Sequence, residues 1–321
     1  MGMGCEIIIE NNGKLYAPVA LDSVVWTLER KGAPGKLAFT VAKDAVIDFQ
    51  EGNPVRMDAG GAGLFYGFVF SKKRDKKHHI AVTAYDQLRY LKNKDILCYE
   101  NQTASDVVKT IIGKYKLNPG DIDQTEFVIA SRKEKDTPLF DIIYNALDQE
   151  LVNKQKMYVL YDDFGKLALK SVERMKLDVL IDGSAGENFD YQTSIDDATY
   201  NQVKLTYENR ETGAWDTYIA RDGSHINEWG LLQLTESIQE GENGQAKADA
   251  LLGLYNMKTR KLKVSKVFGD ARVRAGCLVP VTLGVGDIDV KNYMLVEKCV
   301  HTFNGGRHTM DLTLRGGEFI A

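Results

Sequence analysis

The chain has 321 residues, of which 44% are hydrophobic and 27% are charged, and its formal net charge is -4. These values are typical of a soluble globular protein with two or three domains. They exclude a general nucleic-acid binder, which would carry an excess of basic residues. No apolar run is long enough to span a bilayer.

Residues 1–95 are predicted to form strands joined by short turns. CEIIIENNGKLYAPV indicates strand, Asn-Gly turn and strand, and SVVWTLER and LAFTVAKD alternate between apolar and polar residues. Gly60, Gly61, Gly63 and Gly67 resemble a phosphate-binding loop, but the aromatic and β-branched residues around and after Gly67 favour a strand over a helix start. We therefore interpret these glycines as a hairpin turn within a small antiparallel barrel or sandwich.

Residues 96–180 are predicted to form a separate α/β insert. NQTASDVVKTIIGKYKLN indicates a helix with Thr103 or Ser105 as its cap. TPLFDIIYNALDQELVNKQ indicates a second helix, with Thr137 as its cap and Pro138 at the first helical position. KMYVLYDDFGKLALKSVE then reads as a β-hairpin.

Residues 181–321 return to strands and turns, which predicts a second barrel. The stretch QAKADALLGLYNMKTRK has an amphipathic face and good helix formers, so one helix is expected near residues 245–258.

Two distant stretches share one layout, which is consistent with two copies of one barrel. Each stretch begins with a glycine, continues into a strand centred on a valine, and ends with a histidine and an alternating strand. The matched residues are Gly52 and Gly276, Val69 and Val296, and His79 and His308.

The residue types give little support for a metal site or a reactive thiol. The four cysteines form no C-x-x-C pair, and isolated thiols are the simpler interpretation. His301 and His308 can be cross-strand neighbours over the FNGGR turn, but no third ligand is evident. We therefore predict no metal-binding, cofactor-binding or catalytic residues.

Three features leave alternatives open. The acid pairs Asp162–Asp163 and Asp196–Asp197 are compatible with a hydrolase built on paired carboxylates, although turn chemistry explains the first pair. A carbohydrate-binding module would need Trp26, Trp215 and Trp229 in an exposed groove. The basic run SKKRDKK is typical of a solvated hairpin tip, with contact to an acidic partner as the alternative.

Longer strings resemble a known family. WTLERKGAPGKLAFTVAKD, LFYGFVFSKKRDK, VTAYDQLRYLKNKD and HTMDLTLRGGEF are similar to the XkdQ/YqbQ family, and the resemblance runs from about Leu15 to Phe319. Members of that family are baseplate hub proteins of contractile phage tails, including prophages and phage-tail-like bacteriocins. They are similar to the hubs of large contractile phages and to the base of the type VI secretion spike.

The resemblance implies a mainly β fold, with two tube-type antiparallel β-barrels, an inserted α/β domain and an additional helix. It implies a structural, non-enzymatic hub, in which a trimeric ring joins a six-fold tail tube to a three-fold spike. The alternative is a tail-associated hydrolase of peptidoglycan. The implied partners are other copies of the chain, the tube protein, the spike protein and other baseplate components, without sequence-specific nucleic acid or membrane insertion.

The resemblance also implies a location and a lumen. The location is the tail baseplate of a virion or phage-like particle, assembled in the bacterial host cytoplasm. Two charged segments, NPVRMD and DARVRAG, are candidates for faces between barrels or toward the lumen, with ordinary exposed strand faces as the alternative.

Overall fold

The computed structural model describes residues 4–183, 186–196, 198–208, 213–238, 242–285 and 288–316. The mainly β fold with few helices, as expected from the sequence, is confirmed. The strands belong to one large sheet and three smaller ones.

The N-terminal part of the chain contains seven strands of the large sheet. They are β1 (Cys5–Asn11), β2 (Lys14–Tyr16), β3 (Val24–Glu29), β4 (Lys36–Ala42), β5 (Pro54–Ala59), β6 (Ala62–Arg74) and β7 (His79–Tyr85). Ala59 pairs with Ala62 across a two-residue turn in which Gly60 and Gly61 have φ of 59° and 82°. Positive φ at both positions is typical of a type I′ hairpin turn, so the hairpin interpretation of these glycines is confirmed.

The insert contains two helices between short sheets. Its elements are β8 (Lys94–Thr103), α1 (Ala104–Tyr115), β9 (Pro119–Ile122), β10 (Val128–Pro138), α2 (Leu139–Lys154), β11 (Tyr158–Asp162) and β12 (Leu167–Ser171). Strands β8 and β10 form a pair, and β12 lies between β11 and β9. Short 3-10 helices lie before β8, at Gln87–Lys92, and after β12, at Val172–Met175.

The caps of the two helices differ in how well the sequence predicts them. Thr103 caps α1 in a capping box with Asp106, as expected. Pro138 stands at the N-cap of α2 and not at its first helical position, and no side chain caps this helix. Thr137 lies at the end of β10, and its hydroxyl donates to the carbonyl of Lys135. Pairing of β10 with β8 therefore extends the strand up to the helix.

The C-terminal part contains the remaining elements. They are β13 (Ile181–Asp182), β14 (Asn188–Ser194), β15 (Gln202–Glu208), β16 (Trp215–Arg221), α3 (Gly223–Trp229), β17 (Gln233–Ser237), α4 (Gly244–Tyr255), β18 (Thr259–Phe268), β19 (Leu278–Val285), β20 (Ile288–Asn304) and β21 (Arg307–Gly316). Helix α4 matches the predicted helix but ends earlier, because β18 begins at Thr259. Strands β15, β16 and β17 form a separate sheet that packs against α4. The separation of this sheet from the large one was not predicted.

Two groups of five strands in the large sheet have the same order. The order β5-β6-β7-β4-β3 of the first group matches β19-β20-β21-β18-β14 of the second. We call these groups the first repeat and the second repeat. Both use the same chain order for the matching strands, so the similarity is one of topology and not only of sequence pattern.

Backbone hydrogen bonds align the two repeats residue by residue. The N–H of Gly52 donates to the carbonyl of Val69 at 2.7 Å, and the N–H of Gly276 donates to that of Val296 at 2.8 Å. The two glycines have φ of 89° and 97°. The ladder to the next strand shifts its register directly after both valines. The predicted correspondence of these glycines and valines is therefore confirmed.

The histidines of the predicted pattern do not correspond to each other. Counted from the register shift, Ile80 of β7 corresponds to Met310 of β21, and both are buried. His308 therefore corresponds to His78, which lies in the turn before β7, and not to His79.

Strand β20 joins the repeats. Its far half pairs with β21 on one side and with β3 on the other, so thirteen strands form one sheet. Among the described residues, the main path of pairings ends at β14 and at β2. Closure of each repeat into a barrel stays a prediction.

Candidate functional site

The seam between β3 and β20 is a complete strand-to-strand interface between the two repeats. The strands are antiparallel, and their pairing runs from Glu29 opposite Lys298 to Val24 opposite Phe303. The register shift at Glu297 is a bulge, and a bulge bends its strand and increases the local twist. We infer that this bend allows β20 to leave β19 and meet β3.

Three charged side chains meet at the start of the seam. Arg30 donates from Nε and Nη2 to the two carboxylate oxygens of Glu297 at 2.8 and 3.0 Å, and Nε of Arg315 lies 3.1 Å from the same carboxylate. A bidentate pair of this kind is stronger and more specific than a single contact. The backbone N–H of Arg30 also donates to the carbonyl of Glu297 at 2.9 Å.

The insert is tied to the same place. Tyr144 of α2 donates its hydroxyl proton to the carbonyl of Arg30 at 2.6 Å, and burial raises the pKa of this tyrosine. Burial also lowers the pKa of Arg315, whose guanidinium keeps its charge because the ordinary pKa of arginine is so high. The seam therefore joins both repeats and the insert.

His301 and His308 lie side by side, as the sequence predicted, with Nδ1 of His301 2.9 Å from Nε2 of His308. His301 stacks on Trp26 at a centroid distance of 4.9 Å, and its Nε2 lies 2.9 Å from the carbonyl of Val273. Burial lowers the pKa of His301 to about 3 and also lowers that of His308, so both are neutral at physiological pH. Within the described residues, no group of three or more His, Cys, Asp or Glu side chains is arranged to hold a metal ion.

The first acid pair has the turn role that its sequence indicates. Asp162 is 7% exposed and accepts from the N–H of Gly165 at 2.7 Å and from Nε2 of Gln87 at 2.9 Å. Burial raises its pKa to about 6. Asp163 is exposed and lies 3.6 Å from Nη1 of Arg274.

Asp86 is a second buried carboxylate. It accepts from the N–H of Gly35 at 2.8 Å and from that of Leu88 at 3.0 Å, where it caps a 3-10 helix. Burial raises its pKa, and the charge of Asp162 raises it further. These carboxylates fix turns where the insert meets the first repeat. Asp197, of the second acid pair, lies outside the described residues.

The tryptophans do not form one groove. Trp26 is buried in the seam, with 3% of its surface exposed. Trp229 stacks on His225 at 3.9 Å in α3, and Trp215 lies exposed on β16 of the separate sheet. A carbohydrate groove built from all three is therefore wrong.

Two of the strand edges without a partner in the described structure belong to the two repeats. Strand β14 pairs only with β18, and the half of β6 beyond Val69 pairs only with β7. Phe189 of β14 is 39% exposed, whereas Val24, at the corresponding position of β3, is 2% exposed. An unpaired strand edge is a template for another chain.

The charged segments proposed as faces have other surroundings. NPVRMD contains β5, and both neighbours of this strand, β1 and β6, belong to the same chain. DARVRAG forms the loop before β19 and not a strand. The alternative of an ordinary strand face is wrong for DARVRAG, because its backbone turns at Asp270 and Gly276 to enter β19. A position of this loop between barrels or toward the lumen stays a prediction.

The outward face of the seam carries the exposed ion pair of Glu29 and Lys298 and, beside it, a row of small side chains. One row crosses six strands through directly paired residues, and its members are only partly buried or exposed. The row consists of Thr309, Thr302, Val25, Ala38, Thr83 and Ser71. Alternate residues of these strands face the cores of the two repeats.

Comparison with known proteins identifies the family. The family model described as YQBQ-like matches residues 24–315. The chain belongs to the YQBQ-like family. Phage-like element PBSX protein XkdQ of Bacillus subtilis is 32% identical to it over 307 residues, which cover 92% of this chain and 93% of that protein.

Solved structures share the fold of this YQBQ-like chain. The 43 kDa tail protein of prophage MuSo2 from Shewanella oneidensis matches with a TM-score of 0.72 and 14% identity, over 98% of this chain and all of that one (100%). An E. coli component of the type VI secretion system, described as similar to T4 bacteriophage tail proteins gp27 and gp5, matches with a TM-score of 0.61 and 10% identity, over 98% of this chain and 78% of that one. Among the described residues, the helices are too short or too polar to cross a membrane.

Sequence reasoning found the repeat and the histidine pair but missed the seam. Arg30 and Glu297 are 267 positions apart, and neither stands in a recognisable motif. The only signal available was the matching of Val69 with Val296, which also locates the bulge at Glu297.

Proposed function

We propose that this YQBQ-like protein is a structural hub of a contractile phage-like tail. Three copies form a ring that presents six similar repeats and joins a six-fold tail tube to a three-fold spike. The observation that carries the proposal is the seam, where two repeats of one topology pair edge to edge in a single sheet. The name of a relative as a protein of a phage-like element, and the name of a structural neighbour as a prophage tail protein, support the same assignment.

The small outward row of the seam is proposed to face the lumen. Threonine, serine, alanine and valine carry no charge at these positions, so they would not hold a passing polyanion as lysine or arginine would. The row is continuous from the second repeat into the first, as the lining of a tube requires.

The protein is proposed to act without turnover. The buried carboxylates Asp86 and Asp162 are both occupied by backbone N–H donors, which fits a structural role. We propose a first barrel over 1–95, an insert over 96–180 and a second barrel over 181–321, with β15–β17 and α4 as an addition to the last part. The proposed partners are the tube, the spike and other baseplate proteins, in particles assembled in the host cytoplasm.

The test is removal of the gene from the phage-like element that encodes the chain. We expect no complete tails in electron micrographs, restoration by the gene in trans, and three copies of the chain per baseplate by quantitative mass spectrometry. Normal tails without the chain, or release of peptidoglycan fragments by the pure protein, would overturn the proposal.

A further inference from the structure

We propose that β14 of one copy pairs with the part of β6 beyond Val69 in the next copy, in the register that β3 and β20 use within one chain. This inference rests on the proposed ring. It identifies the free edge of β14 and the free edge of β6 beyond Val69 as the two halves of one interface, with a second copy of the chain as the partner.

The alignment of the repeats gives the register. The register shifts after Val69 and Val296 make Ser71 of β6 equivalent to Lys298 of β20. The same alignment extends across the matching strands β7 and β21 and then across β4 and β18. At the last strand of each repeat, Trp26 of β3 is equivalent to Tyr191 of β14.

The pairing of β3 with β20 can then be transferred directly to two copies. The predicted pairs, with the β6 residue first, are Ser71 and Ser194, Lys72 and Thr193, Lys73 and Gln192, and Arg74 and Tyr191.

The loop beside β6 leaves room for this partner. Nζ of Lys72 donates to the carbonyl of Phe49 at 2.5 Å, and at the equivalent place Sγ of Cys299 lies 3.9 Å from the carbonyl of Val273. The loop before β19 has this arrangement while β3 is paired with β20. The equivalent loop before β5 therefore does not block the edge of β6.

The side chains at the start of the two interfaces are matched but chemically different. The positions of Arg30, Glu297 and Arg315 within one chain correspond to Ile195, Phe70 and Tyr85 between copies. Phe70 and Tyr85 already contact each other, with ring centroids 5.4 Å apart. Ile195 would complete an apolar cluster where the internal seam has an ion cluster.

This difference favours the correct partner. A β14 strand placed on β20 would set the apolar Ile195 against the carboxylate of Glu297 and leave that carboxylate with Arg315 alone, and β3 placed on β6 would leave Arg30 without an acid. A buried charge that loses a partner is costly, so each strand discriminates between the two edges.

Two aromatic positions gain contacts in the same register. His301 stacks on Trp26 in the internal seam, and the equivalent residues Arg74 and Tyr191 can make a cation–π contact. Phe189, which is 39% exposed, takes the place of the buried Val24. The interface would cover this exposed ring.

The pairing is head to tail. One copy supplies β14 and the other supplies β6, so each copy keeps a free edge until a ring closes. We call the pairing of β3 with β20 the internal seam and the pairing of β14 with β6 between copies the external seam. Around the closed ring, internal and external seams alternate.

The test is disulfide trapping between directly opposed positions. The variant Lys73→Cys with Gln192→Cys is made in a Cys5→Ser, Cys98→Ser background and oxidised, both as pure protein and within purified tails. Directly opposed residues have Cα atoms about 5 Å apart, within the range that a disulfide bridges. We expect linked dimers and a linked ring of three on non-reducing gels.

Matched variants test direction and register. Each single cysteine variant alone should give no product of this kind, and a mixture of the two should stop at dimers. Lys73→Cys with Asp190→Cys, displaced by two residues on the same strand face, should link at least tenfold more slowly.

The outcomes separate this inference from the proposed function. Tails that contain the variant but show no linked product, or faster linkage with Asp190→Cys, would overturn the pairing and leave the hub standing. Tails that assemble without any copy of the chain would overturn the hub itself.

Discussion

Two of the buried charged groups in this molecule lie where separate parts of the chain meet. Arg30 joins the two repeats through Glu297, and Asp162 joins the insert to the 3-10 helix that follows the first repeat through Gln87. Such groups stabilise only the arrangement in which their partners are present, because leaving one of them unpaired is costly. They therefore specify how the parts are docked.

Arg30→Met tests this role at the internal seam. The substitution removes both hydrogen bonds to Glu297 and leaves that carboxylate with Arg315, so the free energy of unfolding should fall by about 2 to 3 kcal/mol. The control is Lys31→Met, which removes an exposed ion pair with Asp148 and should cost less than about 1 kcal/mol. Equal losses in urea unfolding would contradict the docking role.

Asp162→Asn tests the buried carboxylate by its pH dependence. The pKa of Asp162 is raised to about 6 in the folded chain, so the folded state binds more protons than the unfolded state above about pH 4. Its contribution to stability is therefore present below about pH 4 and is lost as the pH rises through about 6. The asparagine variant should lose this part of the pH profile, which amounts to roughly 2 kcal/mol.

The control for that comparison is Asp163→Asn, which changes the exposed neighbour. The lowered pKa values of His301 and His308 act in the opposite direction, and they are common to both variants. Urea unfolding from pH 4 to 7 measures the difference directly. An Asp162→Asn profile parallel to that of the unchanged protein would show that this carboxyl does not titrate as stated.

The individual elements were largely readable from local patterns. The Gly60–Gly61 hairpin and the cap of α1 at Thr103 follow from local chemistry. Strand β17 and helix α3 were missed, because neither has an apolar stripe, and α3 contains no buried residue. The seam could not be predicted, because it depends on pairing between β3 and β20 at opposite ends of the chain.

Gly52→Ala and Gly276→Ala form a matched pair at the element scale. Both glycines have positive φ, so both substitutions strain the backbone. A Cβ at Gly52 meets nothing within 4 Å, whereas one at Gly276 would lie 2.6 Å from Cγ1 of Val159 in β11. The Gly276 variant should therefore lose about 1 to 3 kcal/mol more in urea unfolding. Equal losses would mean that β11 does not pack tightly on the second repeat.

At the scale of the whole molecule, one interface serves two purposes. Within one polypeptide, the two repeats pair through β3 and β20. In the proposed ring, β14 and β6 of neighbouring copies pair with the same geometry. The internal seam contains an ion cluster, and the proposed external seam contains an apolar cluster. This chemical difference keeps each edge strand with its own partner, although both seams have the same topology. An ion pair like that of the internal seam should therefore be accepted in the external seam when both facing residues are replaced together.

Phe70→Glu and Ile195→Arg test that requirement. Ile195→Arg alone places an unpaired charge in the external seam and should reduce incorporation into tails at least tenfold, about 1.4 kcal/mol, in a complementation assay. Phe70→Glu alone should reduce it less, because the Arg89 guanidinium lies 5.5 Å from the centre of the Phe70 ring and can pair with the new carboxylate. The double variant recreates the Arg30–Glu297 pair between copies, and it should recover most of the incorporation. Thermal unfolding of each purified variant checks that the chain itself remains folded. A double variant that is incorporated less well than both single variants would show that Phe70 and Ile195 do not meet across the seam.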